Sequence, residues 1–210
     1  MRRVLIVDDQ QLIRQGVKRI LDNPQGETIF GEASTALDAI KLAEEQDWDI
    51  VTLPLSLGGQ SGLDVLKELK HIRPRLPILV LSKHHGEQYI RHALKAGAGG
   101  YVTKDSPCAE LVRAVNNVME GKLFISPALA ETAMAGLRQD PVRLLHEALS
   151  YREYEVITLI ASGKTIKEIA TRLSLSDKTV STYRKRILEK MRMKTNAALT
   201  HYAIKNRIVD

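Results

Sequence analysis

The chain has 210 residues, 44 % of them apolar and 27 % charged, and a net charge of +6, which leaves room for one large or two small domains with ordinary globular cores. Its one cysteine, Cys108, excludes an intrachain disulfide, fits a reducing cytosol and reads as a quiet structural thiol. The longest uncharged run, residues 50–63, is too short for a membrane span and is broken by Pro54, Gly58 and Gly59. The apolar stretch behind Met1-Arg2-Arg3 is too short for a signal peptide, so a cytoplasmic protein with no membrane partner is expected.

Apolar runs and helical patterns alternate through residues 1–125. Strands are predicted at 4–7, 28–33, 49–53, 77–82 and 100–102. Helices are predicted after each: one with Leu12, Gly16 or Val17, Ile20 and Leu21 on one face, ending near Asn23-Pro24, then 35–46, 62–72, 87–96 and 107–120. Five strands, each followed by a helix, imply a doubly wound α/β domain: a five-stranded parallel sheet with helices on both faces. Residues 126–146 read as a partly helical linker, with proline at the first turn in Ser126-Pro127 and breaks at Gly136 and Asp140-Pro141. From residue 147 the periodicity is helical throughout. Ser150 and Glu153 have capping-box spacing, Gly163 ends that helix, and further helices are expected at 165–173, from Ser176 or Asp177 to about 191, and at 195–206. Residues 147–210 are therefore an all-α, four-helix domain.

The strand ends carry the first functional signal. Asp8-Asp9, Ser82 and Thr103-Lys104 follow three of the runs, at the edge where doubly wound sheets bind ligands. Two acids, a hydroxyl and a lysine suit a magnesium-assisted phosphoryl transfer to one further carboxylate, which should end the run Ile50–Leu53. Pro54 stands there, and proline is neither nucleophile nor metal ligand. Ser56 is a poor substitute, because a hydroxyl needs an activating base and no histidine lies nearby in sequence. No metal is expected, since Asp8 and Asp9 alone would hold Mg²⁺ weakly at best. The competing reading is an acidic edge that stays hydrated or pairs with Lys104. No nucleophile–base pair, metal cluster or nucleotide loop is visible, so neither enzyme activity nor a cofactor is expected.

Charge supplies the second signal. Residues 1–146 carry 18 Lys and Arg against 18 Asp and Glu, and residues 147–210 carry 13 against 7, so the whole excess lies in the helical domain and favours a polyanionic partner. A short helix, a tight turn at Ser174-Leu175-Ser176 and a longer helix opening Asp177-Lys-Thr-Val-Ser-Thr-Tyr-Arg-Lys-Arg186 fit a helix-turn-helix on double-stranded DNA. Val180 and Ile187 belong inside; Lys178, Ser181, Thr182, Arg184 and Lys185 lie on outer faces.

Leu149-Ser-Tyr-Arg-Glu-Tyr-Glu-Val-Ile-Thr-Leu-Ile-Ala-Ser-Gly163, Ile166–Leu173 and Ser176–Val180 resemble the LuxR-type DNA-binding domain over residues 147–210. Val4-Leu-Ile-Val-Asp-Asp9, Gly62-Leu63, Ser82 and Tyr101-Val-Thr-Lys-Asp-Ser-Pro107 resemble a receiver domain over residues 1–120. In this order the pair resembles response regulators of the NarL/FixJ class, transcription regulators that bind DNA as dimers. The resemblance implies Asp8 and Asp9 as metal ligands, Ser82 as switch hydroxyl, Tyr101 as switch aromatic and Lys104 as phosphate partner. It puts the phosphoacceptor aspartate at the end of the third strand and a proline four residues on; this chain has Pro54 and Gly58. It also implies base reading by Ser181, Thr182 and Lys185, phosphate contacts by Lys178, Thr179 and Arg184, and dimerisation through the fourth helix at Ala198, Leu199 and Tyr202. Where Ser181 stands the family usually has a basic residue. Three functions stay open. One is a transcription regulator whose receiver takes no phosphate and which is constitutive or partner-controlled. The second is a kinase-controlled regulator with another acceptor, or one in which Pro54 was introduced artificially. The third is an interaction protein that tunes another response regulator.

Overall fold

β-branched and leucine runs with no polar face need burial on both sides, and that requirement organises the first half of the chain. The computed structural model describes residues 1–22, 27–127, 129–130 and 145–209, arranged as two compact units, Met1–Arg138 and Gln139–Asp210. In the first unit the strands are β1 (Arg2–Val7), β2 (Thr28–Ala33), β3 (Ile50–Leu53), a small hairpin β4 (Ser56–Leu57) and β5 (Gln60–Ser61), then β6 (Ile78–Ser82), β7 (Gly100–Thr103) and β8 (Phe124–Ile125). The main sheet has the order β2-β1-β3-β6-β7-β8, every pair parallel. The five expected strands are all present. The sixth, β8, adds two residues beside Gly100 and Tyr101 at the sheet's edge.

The intervening helices are α1 (Gln11–Leu21), α2 (Ala36–Glu45), α3 (Gly62–Ile72), α4 (Glu87–Lys95) and α5 (Cys108–Met119). Side-chain caps fix two of their starts: Thr35 accepts the Asp38 N–H and Ser61 accepts the Asp64 N–H. The expected stop at Asn23-Pro24 lies outside the described residues; α1 ends at Leu21. On one face of the sheet Val4, Ile6, Ile50 and Leu79 pack with Val17 and Leu21 of α1 and with Leu111, Ala114, Val115 and Val118 of α5. Leu5, Val51, Leu53 and Val80 point the other way by the strand period of two and are equally buried. At the opposite end from the acidic edge, Trp48 lies against Gly31, where a Cβ would stand 2.3 Å from the indole. Its Nε1–H donates to Leu42 O at 2.8 Å, and the Arg3 guanidinium sits 5.6 Å over the ring.

The second unit starts with a 3₁₀ turn at Leu145–Ala148 and continues as α6 (Tyr151–Ala161), α7 (Ile166–Leu173), α8 (Asp177–Lys190) and α9 (Asn196–Lys205). The capping box at Ser150 and Glu153 is formed, and a second links Thr165 to Glu168. Ser174 closes α7 in the left-handed conformation, φ 54°. Val156, Ile157, Ile169, Val180, Ile187, Leu199 and Ala203 form the fully buried centre. Most of the expected linker, residue 128 and residues 131–144, lies outside the described residues; at its start, the Leu129 and Ala130 N–H groups both donate to Ser126 O. No helix among the described residues is long and apolar enough to cross a membrane.

Candidate functional site

The parallel sheet brings the ends of β1, β3, β6 and β7 to one edge, and the sequence leaves polar residues there. Asp8, directly after β1, is 2 % exposed. Its Oδ1 accepts the Gln10 N–H at 3.0 Å, and its Oδ2 accepts a hydrogen bond from Lys104 Nζ at 2.5 Å. Lys104 follows β7, and its side chain is 11 % exposed. The Arg14 Nη1 donates to the Asp8 carbonyl at 2.8 Å while its Nε pairs with Glu32 at 3.0 Å. Asp9 is exposed and its Oδ2 accepts the Gly58 N–H at 3.2 Å. That amide is presented by a two-residue turn in which Gly58 and Gly59 have φ of 54° and 82°, as a tight hairpin between β4 and β5 requires.

Pro54 lies one residue beyond β3 and is buried, so β3 keeps its ladder with β1 and β6 and the missing proline N–H costs no strand bond. The Pro54 carbonyl faces Gly62, where an added Cβ would approach it to 1.8 Å.

Ser82 and Tyr101 form a second cluster. Both are buried, and His84 joins them: its N–H donates to Ser82 Oγ at 3.2 Å, and the Tyr101 hydroxyl donates to its carbonyl at 2.8 Å. The His84 ring stacks on Tyr89 with centroids 4.2 Å apart. Burial pushes the Tyr101 phenol well above its ordinary pKa, against a smaller opposing effect of the Ser82 hydroxyl. His85 faces Asp105 at 3.5 Å, a further link between the β6–α4 and β7–α5 loops.

Mg²⁺ takes near-octahedral oxygen coordination. Here both Asp8 oxygens have donors, one Asp9 oxygen has another, and Pro54 supplies no side-chain ligand. Among the described residues no group of three or more His, Cys, Asp or Glu is placed to hold a metal ion.

In the second unit α7, the turn and α8 form a helix-turn-helix. Ser176 caps α8 by accepting the Thr179 N–H at 3.1 Å, and the two hydroxyls lie 2.8 Å apart. Val180 and Ile187 are buried, which turns Lys178, Ser181, Thr182 and Lys185 to solvent and leaves Thr179 and Arg184 half-exposed. The Arg184 Nε donates to Asn196 Oδ1 at 2.6 Å, so the first residue of α9 aims this guanidinium. Lys190 pairs with Glu153 at 2.6 Å and ties α8 to the start of α6.

Of the three residues expected on a dimer surface, Ala198 is exposed, but Leu199 is fully buried and Tyr202 is half-buried. The Tyr202 hydroxyl lies 3.0 Å from His146 Nδ1. Leu199 thus serves the unit's own core, which corrects its placement on an open surface; Ile204, 54 % exposed, is the large apolar side chain that α9 shows to solvent. The residues that sequence reasoning missed, Gln10, Arg14, His84, Asn196 and His146, act through backbone groups or through tertiary partners that no motif announces.

The model of the response regulator receiver domain matches residues 4–116, and that of the bacterial regulatory proteins of the luxR family matches residues 147–203. Response regulator GacA of Pseudomonas aeruginosa is 32 % identical over 100 % of this chain and 99 % of its own length. Response regulator UvrY of Escherichia coli is 32 % identical over 100 % of this chain and 97 % of its own. Among solved structures, RcsB from Salmonella enterica serovar Typhimurium, bound to promoter P1flhDC with the phosphomimetic BeF3⁻, aligns at 25 % identity and a TM-score of 0.68, covering 96 % of this chain and 97 % of that one. A two-component response regulator of the LuxR family from Aurantimonas aligns at 32 % identity and a TM-score of 0.62, covering 64 % of this chain and 96 % of that one. A receiver fold with polar strand ends, a helix-turn-helix unit that carries the excess positive charge, and full-length similarity to named response regulators place this chain in the response regulators of the LuxR family.

Proposed function

We propose that this chain is a DNA-binding transcription regulator whose receiver takes no phosphoryl group and which acts in the cytoplasm as a constitutive or partner-controlled dimer. One observation carries the reading: Pro54 directly follows β3 beside an edge where Lys104 is already committed to Asp8. In this reading residues 1–125 are the receiver, 126–146 the linker and 147–210 the DNA-binding domain. Pro54 occupies the acceptor position, and Asp8, Asp9, Ser82, Tyr101 and Lys104 are the remains of the pocket, with no catalytic role. Lys178, Thr179, Ser181, Thr182, Arg184 and Lys185 meet double-stranded DNA, where lysine and arginine contacts to phosphates supply most of the affinity. The RcsB structures include one of two dimers bound to two parallel DNAs, which supports the dimer and the partner proposed here.

Incubation of the full chain with acetyl phosphate and Mg²⁺, followed by intact mass, tests the receiver. No phosphoryl adduct is expected, while Pro54→Asp, which returns a carboxylate to the end of β3, should gain one. A stoichiometric adduct on the unchanged chain would overturn the reading and favour kinase control through another acceptor.

A further inference from the structure

We propose that the ammonium group of Lys104 is the resident cation of the acidic edge, held on Asp8 in place of a divalent ion, and that it makes this receiver indifferent to Mg²⁺. The inference rests on the reading that Pro54 has replaced an acceptor carboxylate, and it extends that reading from the phosphoryl group to the ion.

A carboxylate as buried as Asp8 needs a counter-charge and hydrogen-bond donors. It has both within the chain: the Gln10 N–H on Oδ1 and Lys104 Nζ on Oδ2. The reach of the lysine is informative. In the sheet β7 is separated from β1 by β6 and β3, so the Lys104 side chain spans the carboxyl ends of two strands to meet Asp8. The first residue beyond β3 on that path is Pro54. A proline there offers no side-chain acceptor that would stop the ammonium short of Asp8.

The surroundings work against a second cation. The Arg14 guanidinium touches the Asp8 carbonyl, although Glu32 balances much of its charge. A dication at Asp8 must displace Lys104 or stand beside it, and like charges at such range repel strongly in a partly buried site. What remains for it is one oxygen of Asp9, since the other accepts the Gly58 N–H. A single carboxylate oxygen on an exposed residue is a poor exchange for the hydration shell of Mg²⁺.

The test uses the full chain labelled with ¹⁵N and titrated with MgCl₂ to about 20 mM at constant ionic strength. The Gln10 and Gly58 amides report directly, because they donate to Asp8 and Asp9. Neither should show a saturable shift in the unchanged chain. In Lys104→Met both should shift and saturate, with a midpoint at least about tenfold below any response of the parent, and Mg²⁺ should raise that variant's melting temperature. A saturable millimolar response of these amides in the unchanged chain overturns the proposal, whatever the variant does. A folded Lys104→Met as indifferent as its parent also overturns it, since the lysine would then not be what keeps the ion out. Should Lys104→Met fail to fold, Lys104→Gln takes its place and the parent titration still decides. A phosphoryl adduct in the mass experiment counts against the proposed function, and a localised Mg²⁺ response counts against this inference, so the two failures are distinguishable.

Discussion

Replacing Lys104 by methionine keeps the length of the side chain and removes its charge, leaving Asp8 buried with one backbone donor. Loss of one partner from so enclosed a pair should cost about 2–4 kcal/mol, measured as a lower urea midpoint of the receiver unit. Unchanged stability would mean that the pair is idle. Glu153 makes the complementary case in the other unit. Burial alone would raise its pKa, but the Lys190 ammonium and the Ser150 N–H and hydroxyl outweigh burial and hold it below the ordinary value of 4.5. The folded state therefore releases this proton more readily than the unfolded chain. Its contribution is fully present above the unfolded value and is lost as pH falls through the folded one. Melting of the full chain between about pH 6 and about pH 3 should show this loss, and Glu153→Gln should flatten it. Glu168, lowered by its own bonds to Thr165, titrates in the same unit, so only the difference between parent and variant is diagnostic. At this scale the sequence was legible where a charged side chain follows a strand or a capping pair has the right spacing. Asp8, Lys104 and the Ser150–Glu153 box were found that way. Gln10 and Gly58 were not, because their contribution is a backbone N–H, which every residue but proline carries.

Among the elements, α3 depends on a position where space decides. Gly62 opens the helix, its N–H donates to Leu55 O at 2.8 Å, and the Pro54 carbonyl occupies the place of a side chain. Gly62→Ala should therefore shift the backbone between β3 and α3 and cost at least about 2 kcal/mol, read from chemical unfolding; a neutral substitution would mean that the β4–β5 hairpin yields freely. In the DNA-binding unit, the contacts proposed for α8 include Arg184, whose guanidinium is held by Asn196 of α9. Arg184→Ala should cost roughly 1–2 kcal/mol of DNA affinity, and Asn196→Ala should cost less but measurably, through a guanidinium no longer held. Fluorescence anisotropy at fixed salt compares the two, and equal affinity of Asn196→Ala and the parent would show that this bond does not position the arginine. Long periodic elements were readable, and so were the turn and the helix caps. The two-residue strands β4, β5 and β8 were not, since a pair of residues has no period and becomes a strand only by its partner. The inward side of α9 was also misjudged at Leu199, because a helix of ten residues offers several apolar faces and packing against α6 chooses among them.

For the whole molecule, the separation of a charge-neutral receiver from a basic reader has consequences for assembly. One small helix-turn-helix makes few base contacts, and two on one dimer gain avidity from adjacent half-sites. In the proposed reading no phosphoryl group biases association, so the full chain should already be dimeric at about micromolar concentration; sedimentation that shows only monomer, together with tight DNA binding by that monomer, would contradict this. Affinity should fall steeply with salt, since the excess charge lies in residues 147–210. The division into two units was legible because their periodicities differ, alternating runs against helices alone, whereas the family of each was legible only through the resemblance of its motifs. Trp48 adds a practical consequence. It is the chain's only tryptophan and is wedged between Gly31 and Arg3 in the receiver, whereas four of the six tyrosines, Tyr151, Tyr154, Tyr183 and Tyr202, belong to the DNA-binding unit. Indole emission is therefore an optical label for one unit alone, built in without engineering. Set beside far-ultraviolet dichroism, to which both units contribute, it separates their unfolding in a single sample.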